Sequence, residues 1–217
     1  NSIDTNGNPT AFFNRDSFSW HTDGTSACHV NAATFLYAVE TPEIGGDTLY
    51  CSTAFAWETL PKALKNEAQD VEMLCSFHAH NDRILEQDPH AFAPLTQRER
   101  DALPPVWHRL VQAHPVTGRT LLYLNLDPLD FKGIDIGGGR KLMQELVDHS
   151  TRQEFVYRHR WKNGDLVIWD NHATMHSPTK VEVYENNTRL LHRSFVYTQP
   201  TERPLPNFEK LNEIFST

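Results

Sequence analysis

Few cysteines, no long apolar run and no basic stretch narrow the field for this 217-residue chain before any motif is considered. Its three cysteines, Cys28, Cys51 and Cys75, are odd in number, far apart and form no Cys-x-x-Cys pair. That argues against a disulfide framework and against a thiolate zinc site. They read as reduced, mostly buried thiols of a cytoplasmic protein. No segment approaches the ~18 consecutive apolar residues of a membrane-spanning helix. The N-terminus, Asn1 to Asn8, has neither the basic nor the apolar region of a signal peptide. It also lacks an initiator Met, which marks the chain as trimmed or as a fragment. Twenty Lys and Arg against 28 Asp and Glu leave a net charge of −8 with no basic run, so nucleic acid and anionic membrane are poor partners.

What is present is an ordinary globular composition, large enough to bury one core without a staple, and residues 1–217 read as a single domain. Turn signals recur at β-rich spacing. Strands are expected over 29–39 and, after Gly45-Gly46, over 47–51. Residues 53–69 read as two short helices, with Ser52 or Thr53 as N-cap and Pro61 between them. A strand over 71–77 leads into 78–105, a polar segment in which only the capping box Thr96-x-x-Glu99 signals a short helix. A hairpin is expected from 109–114 and 119–125, and a helix over 140–149 with Gly137 to Gly139 as its flexible lead-in. Strands over 154–161, 165–170 and 188–197 complete a mostly β or α+β domain, without the βαβ rhythm of a doubly wound sheet.

Twelve histidines stand out, and two fall in His-x-Asp: His21-Thr22-Asp23 and His80-Asn81-Asp82. On an extended segment residues i and i+2 share a face, so an imidazole and a carboxylate can hold one cation, whereas on a helix they point apart. His21-x-Asp23, ahead of a strand, fits that geometry better than the pair in the polar segment. A third ligand must come from elsewhere, because a two-His-one-carboxylate site takes one face of an octahedral Fe(II) and leaves the rest open. His172 and His176, in the run Trp169-Asp170-Asn171-His172-Ala173-Thr174-Met175-His176, are both candidates. Downstream, Arg189, Leu191 and Arg193 alternate onto one strand face beside apolar neighbours, and a buried Arg needs an anionic partner. Iron ligands beside inward-facing Arg suit a molecule that chelates metal and carries a distal carboxylate, such as 2-oxoglutarate.

These residues, with Gly45-Gly46-Asp47-Thr48-Leu49-Tyr50, His114-Pro115-Val116-Thr117-Gly118 and Arg189-Leu190-Leu191-His192-Arg193, make the chain resemble the taurine/2,4-dichlorophenoxyacetate (TauD/TfdA-type) family of Fe(II)- and 2-oxoglutarate-dependent dioxygenases from about residue 16 to 198. The resemblance implies a double-stranded β-helix, or jelly roll, flanked by helices. It implies that His21, Asp23 and His176 bind iron, with His176 rather than His172 as the distal ligand. Thr48 and Arg189 would hold the distal carboxylate of 2-oxoglutarate, and Arg193 would face the active site beside the cosubstrate and an anionic substrate group. O2 is then the third reactant, a small anionic molecule the substrate, and a homo-oligomer the expected assembly. Segment 78–105 reads as a lid, with Phe77, His78, Asn81 and Phe92 as substrate contacts. Only 20 residues precede His21, where family members carry a much longer segment. A zinc hydrolase on the same three residues, or an inactive jelly-roll binding protein, is the alternative.

Overall fold

A computed structural model of the chain describes residues 19–26, 31–87, 89, 94–180 and 188–197. The architecture is mostly β, built from antiparallel pairs. Strand β1 (Asn31–Glu40) lies between β9 (Leu166–Asp170) and β11 (Leu190–Tyr197). A second three-stranded sheet has β2 (Thr48–Ser52) between β8 (Val156–His159) and β10 (Thr174–Pro178). A third sets β3 (Glu72–Cys75) between β4 (Val106–Arg109) and β7 (Asp130–Lys132), and a hairpin pairs β5 (Val111–Ala113) with β6 (Thr120–Leu122).

Register decides which side chains face where. In the first sheet, Thr34 stands opposite both Trp169 and Phe195, and Leu36 opposite Arg193, so these residues share one face. The other face leaves Tyr37, Leu166 and Ile168 exposed. In the second sheet, His176 pairs with Tyr50 and Tyr50 with Tyr157, while Met175 pairs with Cys51 and points the opposite way. That opposite face joins the main apolar core, where Cys51 and Met175 meet the buried side chains of the helices.

The helical layer follows local signals. Ser52 caps α1 (Thr53–Thr59) by accepting from the Phe55 amide, and Pro61 opens α2 (Lys62–Ala68), as the caps and the proline predict. Helix α4 (Gln97–Ala102) carries the full capping box between Thr96 and Glu99. The polar segment is more ordered than its sequence suggests, because α3 (Phe77–Gln87) occupies its first half. Two tertiary ion pairs, Asp82 with Arg100 and Arg83 with Asp127, tie this polar helix down.

Helix α5 (Ile136–Ser150) also departs from expectation: Gly137 to Gly139 form its first turn instead of a flexible lead-in. Asp135 caps it, accepting from the amides of Gly137 and Gly138 at 3.0 Å each. Leu142, Met143, Leu146 and Val147 are buried, each contributing roughly 1.5–3 kcal/mol. The last glycine is needed for close packing, since a Cβ at Gly139 would run into the Phe131 ring of β7. No helix among the described residues is long and apolar enough to cross a membrane.

Two outcomes follow from this packing. Gly139→Ala gains up to about 1 kcal/mol of helix propensity but meets an overpacking cost of about 1–3 kcal/mol, so the urea midpoint is expected to fall. Burial pushes the thiols of Cys51 and Cys75 up to about 12. Neither is therefore expected to react with iodoacetamide at pH 8 in the native protein, while both label in urea, as read by peptide mass spectrometry. Cys28 lies outside the described residues.

Candidate metal centre

His21 does not sit within a regular strand. It forms an isolated antiparallel bridge with His176, the amide of each donating to the carbonyl of the other at 3.0 and 2.8 Å. Residues directly paired across an antiparallel ladder project side chains to one side, and the two imidazole centroids are 4.2 Å apart. A turn beginning at Asp23 then swings its carboxylate against both rings. Asp23 Oδ1 lies 3.8 Å from His21 Nε2 and 3.8 Å from His176 Nε2, and one ligand atom from each of the three residues lies within 4.8 Å of the others. A point equidistant from the corners of such a triangle is roughly 2.2–2.5 Å from each, close to the reach of imidazole and carboxylate bonds to a divalent metal.

The protonation states suit a metal. His21 Nδ1 meets the Ser19 carbonyl at 2.8 Å, and a carbonyl only accepts, so Nδ1 donates there and Nε2 is the nitrogen turned toward Asp23. Burial drives the His176 imidazole down to about 3, with repulsion from His21 and Arg193 adding to this and Asp23 opposing it. It is therefore neutral at physiological pH, the state in which an imidazole can bind a cation. Burial works against ionisation of Asp23, but His176, His21, the Thr34 hydroxyl and Arg193 outweigh it and hold the carboxyl below its ordinary range. The turn bearing Asp23 is anchored through Thr25, whose carbonyl meets His108 Nε2 at 2.9 Å and whose hydroxyl accepts from Asn125 at 2.9 Å.

Of the other candidates, His80 and Asp82 lie on helix α3, where i and i+2 diverge, and Asp82 is engaged by Arg100. His172 stays outside the triangle, its ring 5.4 Å from that of His114. His114 instead explains its motif. Its Nδ1 accepts from the amides of Val116 and Thr117, so Nε2 carries the proton and donates to Asp170 at 2.7 Å, locking the β5–β6 turn to the end of β9.

Beside the triangle, Thr48 is buried and Arg189 reaches into the same region from the end of β11. Arg189 Nε donates to the Gly46 carbonyl at 2.9 Å and Nη2 to the Thr48 hydroxyl at 3.5 Å, while Trp161 Nε1 also donates to Thr48. Desolvation lowers the Arg189 pKa, partly offset by Tyr50 and Asp47. Its partners are neutral oxygens, and no carboxylate pairs with it among the described residues. Arg193 is more exposed than the sequence suggests, as are Leu190 and Val196 on the opposite face, because β11 lies at the edge of its sheet. His78 and Asn81 lie on α3 and share no hydrogen bond, ion pair or ring contact with the triangle, and Phe92 lies outside the described residues.

Sequence reasoning missed Thr34, which donates to Asp23 Oδ2 at 2.8 Å, and gave no role to Asn171 and Trp169 behind it. The only signal was a Thr on the inward face of a strand.

Fold and site together define a mostly β protein with a partly buried two-His-one-carboxylate cluster beside a guanidinium that no carboxylate pairs among the described residues. The chain belongs to the taurine catabolism dioxygenase TauD, TfdA family, whose sequence profile matches residues 1–195. It is 35% identical over 164 residues to the alpha-ketoglutarate-dependent 2,4-dichlorophenoxyacetate dioxygenase of Cupriavidus pinatubonensis, an alignment covering 76% of this chain and 55% of that protein. It is 32% identical over 179 residues to the alpha-ketoglutarate-dependent sulfate ester dioxygenase of Pseudomonas putida, covering 81% and 58%. The chain thus spans little more than half the length of these relatives. Among solved structures, AAD-2 in complex with Mn(II) and N-oxalylglycine superposes with a TM-score of 0.71 at 30% identity, covering 86% of this chain and 71% of that one.

On this geometry His176→Ala weakens Co(II) binding by ~100-fold or more, whereas His172→Ala leaves it within about twofold, measured by equilibrium dialysis of the folded proteins.

Proposed function

We propose that this chain carries the active site of an Fe(II)- and 2-oxoglutarate-dependent dioxygenase that oxidises a small anionic organic substrate. The observation that carries this reading is the His21–Asp23–His176 triangle set beside a half-buried Arg189 that no carboxylate pairs among the described residues. Three protein ligands on one face leave coordination positions for a bidentate cosubstrate and for O2. Arg189 and Thr48 then provide a cation and a hydroxyl for a distal carboxylate, the geometry Arg recognises best. A zinc hydrolase would leave that guanidinium unexplained.

When bound, iron with 2-oxoglutarate supplies the oxidising chemistry, coupling O2 reduction to loss of CO2 and formation of succinate. The chain's own residues orient and enclose. His21 and His176 offer neutral nitrogen, Asp23 contributes one negative charge, and the rings of Tyr50 and Trp169, 6.1 and 4.8 Å from that of His176, wall off water on one side. Burial raises the Tyr50 phenol, with the nearby Thr48 hydroxyl and Arg189 opposing, so this residue stays protonated and can only donate to an anion. Arg193, whose charge is felt at Asp23 and His176, faces an anionic substrate group. In the same reading the β11–β1–β9 and β10–β2–β8 sheets are the walls of a double-stranded β-helix, residues 1–217 form one domain, and the α3–α4 segment is a lid presenting His78 and Asn81 to substrate. The kinds of substrate named for the relatives, a phenoxyacetate and a sulfate ester, support the anionic class.

Anaerobic addition of Fe(II) and then 2-oxoglutarate is expected to produce a visible metal-to-ligand charge-transfer band. Arg189→Ala should retain Fe(II) binding but need roughly 30-fold more 2-oxoglutarate, reflecting loss of about 2 kcal/mol from a charge-assisted pair. No band from folded, iron-loaded protein would sink the reading.

A further inference from the structure

We infer that Thr34, oriented by Asn171 and Trp169, is a positioning residue for the metal centre: it holds one oxygen of Asp23 so that only the other, Oδ1, is presented to the cation. The inference rests on the reading of His21, Asp23 and His176 as ligands.

The direction of the hydrogen-bond chain is set at its far end. The indole Nε1 of Trp169 can only donate, so the Asn171 atom it meets at 2.9 Å is the carbonyl Oδ1. Asn171 Nδ2 then faces Thr34 Oγ1 at 2.7 Å and donates to it. A hydroxyl that accepts there still has its own proton, and Asp23 Oδ2, at 2.8 Å, is the charged acceptor that receives it. The Asn31 side chain also approaches this hydroxyl at 3.1 Å; turned so that its nitrogen donates to the carbonyls of Ala33 at 2.9 Å and Val196 at 3.2 Å, it faces Thr34 with its oxygen, a neutral and more distant acceptor than the Asp23 carboxylate at 2.8 Å. From the donor-only indole through Asn171 and Thr34 to the acceptor-only carboxylate, each step of the series sets a donor against an acceptor.

The three residues behind Asp23 are buried. Thr34 is 0% exposed, Asn171 1% and Trp169 6%, so water does not compete for these bonds. The Asn171 amide donates to the Ala32 carbonyl at 3.0 Å, pinning the turn after β9 to the strand that carries Thr34. Thr34, Asn171 and Trp169 contribute no ligand atom to the triangle, so all three act through Asp23.

The consequence concerns coordination number. A carboxylate free at both oxygens can chelate a cation with both and occupy an extra position. Asp23 has Oδ2 engaged by Thr34, while Oδ1 is the oxygen 3.8 Å from each imidazole Nε2. One-oxygen ligation preserves the three open positions that the proposed function needs. The Trp169 ring also packs 4.8 Å from His176 and 5.3 Å from Tyr50, so one side chain braces the acidic ligand through hydrogen bonds and a histidine ligand through contact.

The test uses the whole chain freed of metal, with Co(II) as probe. Thermal stability without metal, Co(II) affinity by equilibrium dialysis and the Co(II) visible spectrum are compared for the parent, Thr34→Val, Thr34→Ser and Trp169→Phe. Thr34→Val keeps the side-chain shape and removes the donor to Asp23; it is expected to lose about 10–100-fold in Co(II) affinity and to shift the Co(II) spectrum as the carboxylate becomes free to chelate. Thr34→Ser restores the hydroxyl and is expected within about threefold of the parent, with Trp169→Phe, which frees the Asn171 amide to turn, between them. A purely structural Thr34 would lower stability and leave the affinity and spectrum of the folded Thr34→Val protein unchanged, which would overturn the inference. Should Thr34→Val fail to fold, parent-like affinity and spectrum in Trp169→Phe would overturn it, and a loss there with parent-like Thr34→Ser would support it. A parent that takes up no Co(II) would overturn the ligand reading, and this inference with it, an outcome separate from a parent that binds normally alongside an unaffected Thr34→Val.

Discussion

Two backbone hydrogen bonds between His21 and His176 hold the site together. They join residues far apart in sequence, and the loop entropy of that closure is offset by the sheet on which His176 is carried. Because side chains alternate along β10, its pairing with β2 decides everything nearby. A slip of one residue would turn His176 into the helical core and put Met175 in its place. The apolar core against Cys51 and Met175 forbids that slip, since it would set an imidazole among apolar side chains and take a thioether out of them. Packing on one face of the sheet thereby holds the His176 side chain on the other.

The second organising feature is a pair of half-buried opposite charges that do not neutralise each other. Asp23 is surrounded by two imidazoles and a hydroxyl, and Arg189 by a carbonyl and a hydroxyl. Buried charges held by neutral partners stay costly unless an ion or ligand completes them. The acid is poised for a cation and the guanidinium for an anion, which is the polarity a metal-chelating dicarboxylate requires. A family defined by alpha-ketoglutarate-dependent relatives gives that polarity a chemical context.

Much of the fold could be read locally. The Ser52 cap, the Pro61 break, the Thr96–Glu99 capping box and the hairpin across Pro115 to Gly118 are short-range devices whose physics lies within a few residues. Strand β10 was not legible, because its five residues, Thr-Met-His-Ser-Pro, are covered on both faces and show no polar alternation. Helix α3 was missed because its first half carries two histidines, an Asn and an Asp with little apolar periodicity, and the ion pairs that tie it down come from Arg100 and Asp127 in other segments. Gly137 to Gly139 looked like a flexible lead-in, yet Asp135 caps them and the Phe131 ring excludes any side chain at Gly139.

The candidate ligands and the Arg that faces them were visible from residue type and order alone, since His-x-Asp, a distant His and an Arg-bearing strand carry the required chemistry wherever the chain puts them. Residue type left His172 and His176 both open and only the family resemblance favoured His176; tertiary structure alone brings His176 to His21 and Asp23, sets His80 and Asp82 on a helix, and supports Asp23 through Thr34, Asn171 and Trp169. The reason is physical: a side chain's chemistry belongs to its own residue, but its direction and its hydrogen-bond partners are set by sheet register and by packing between segments remote in sequence.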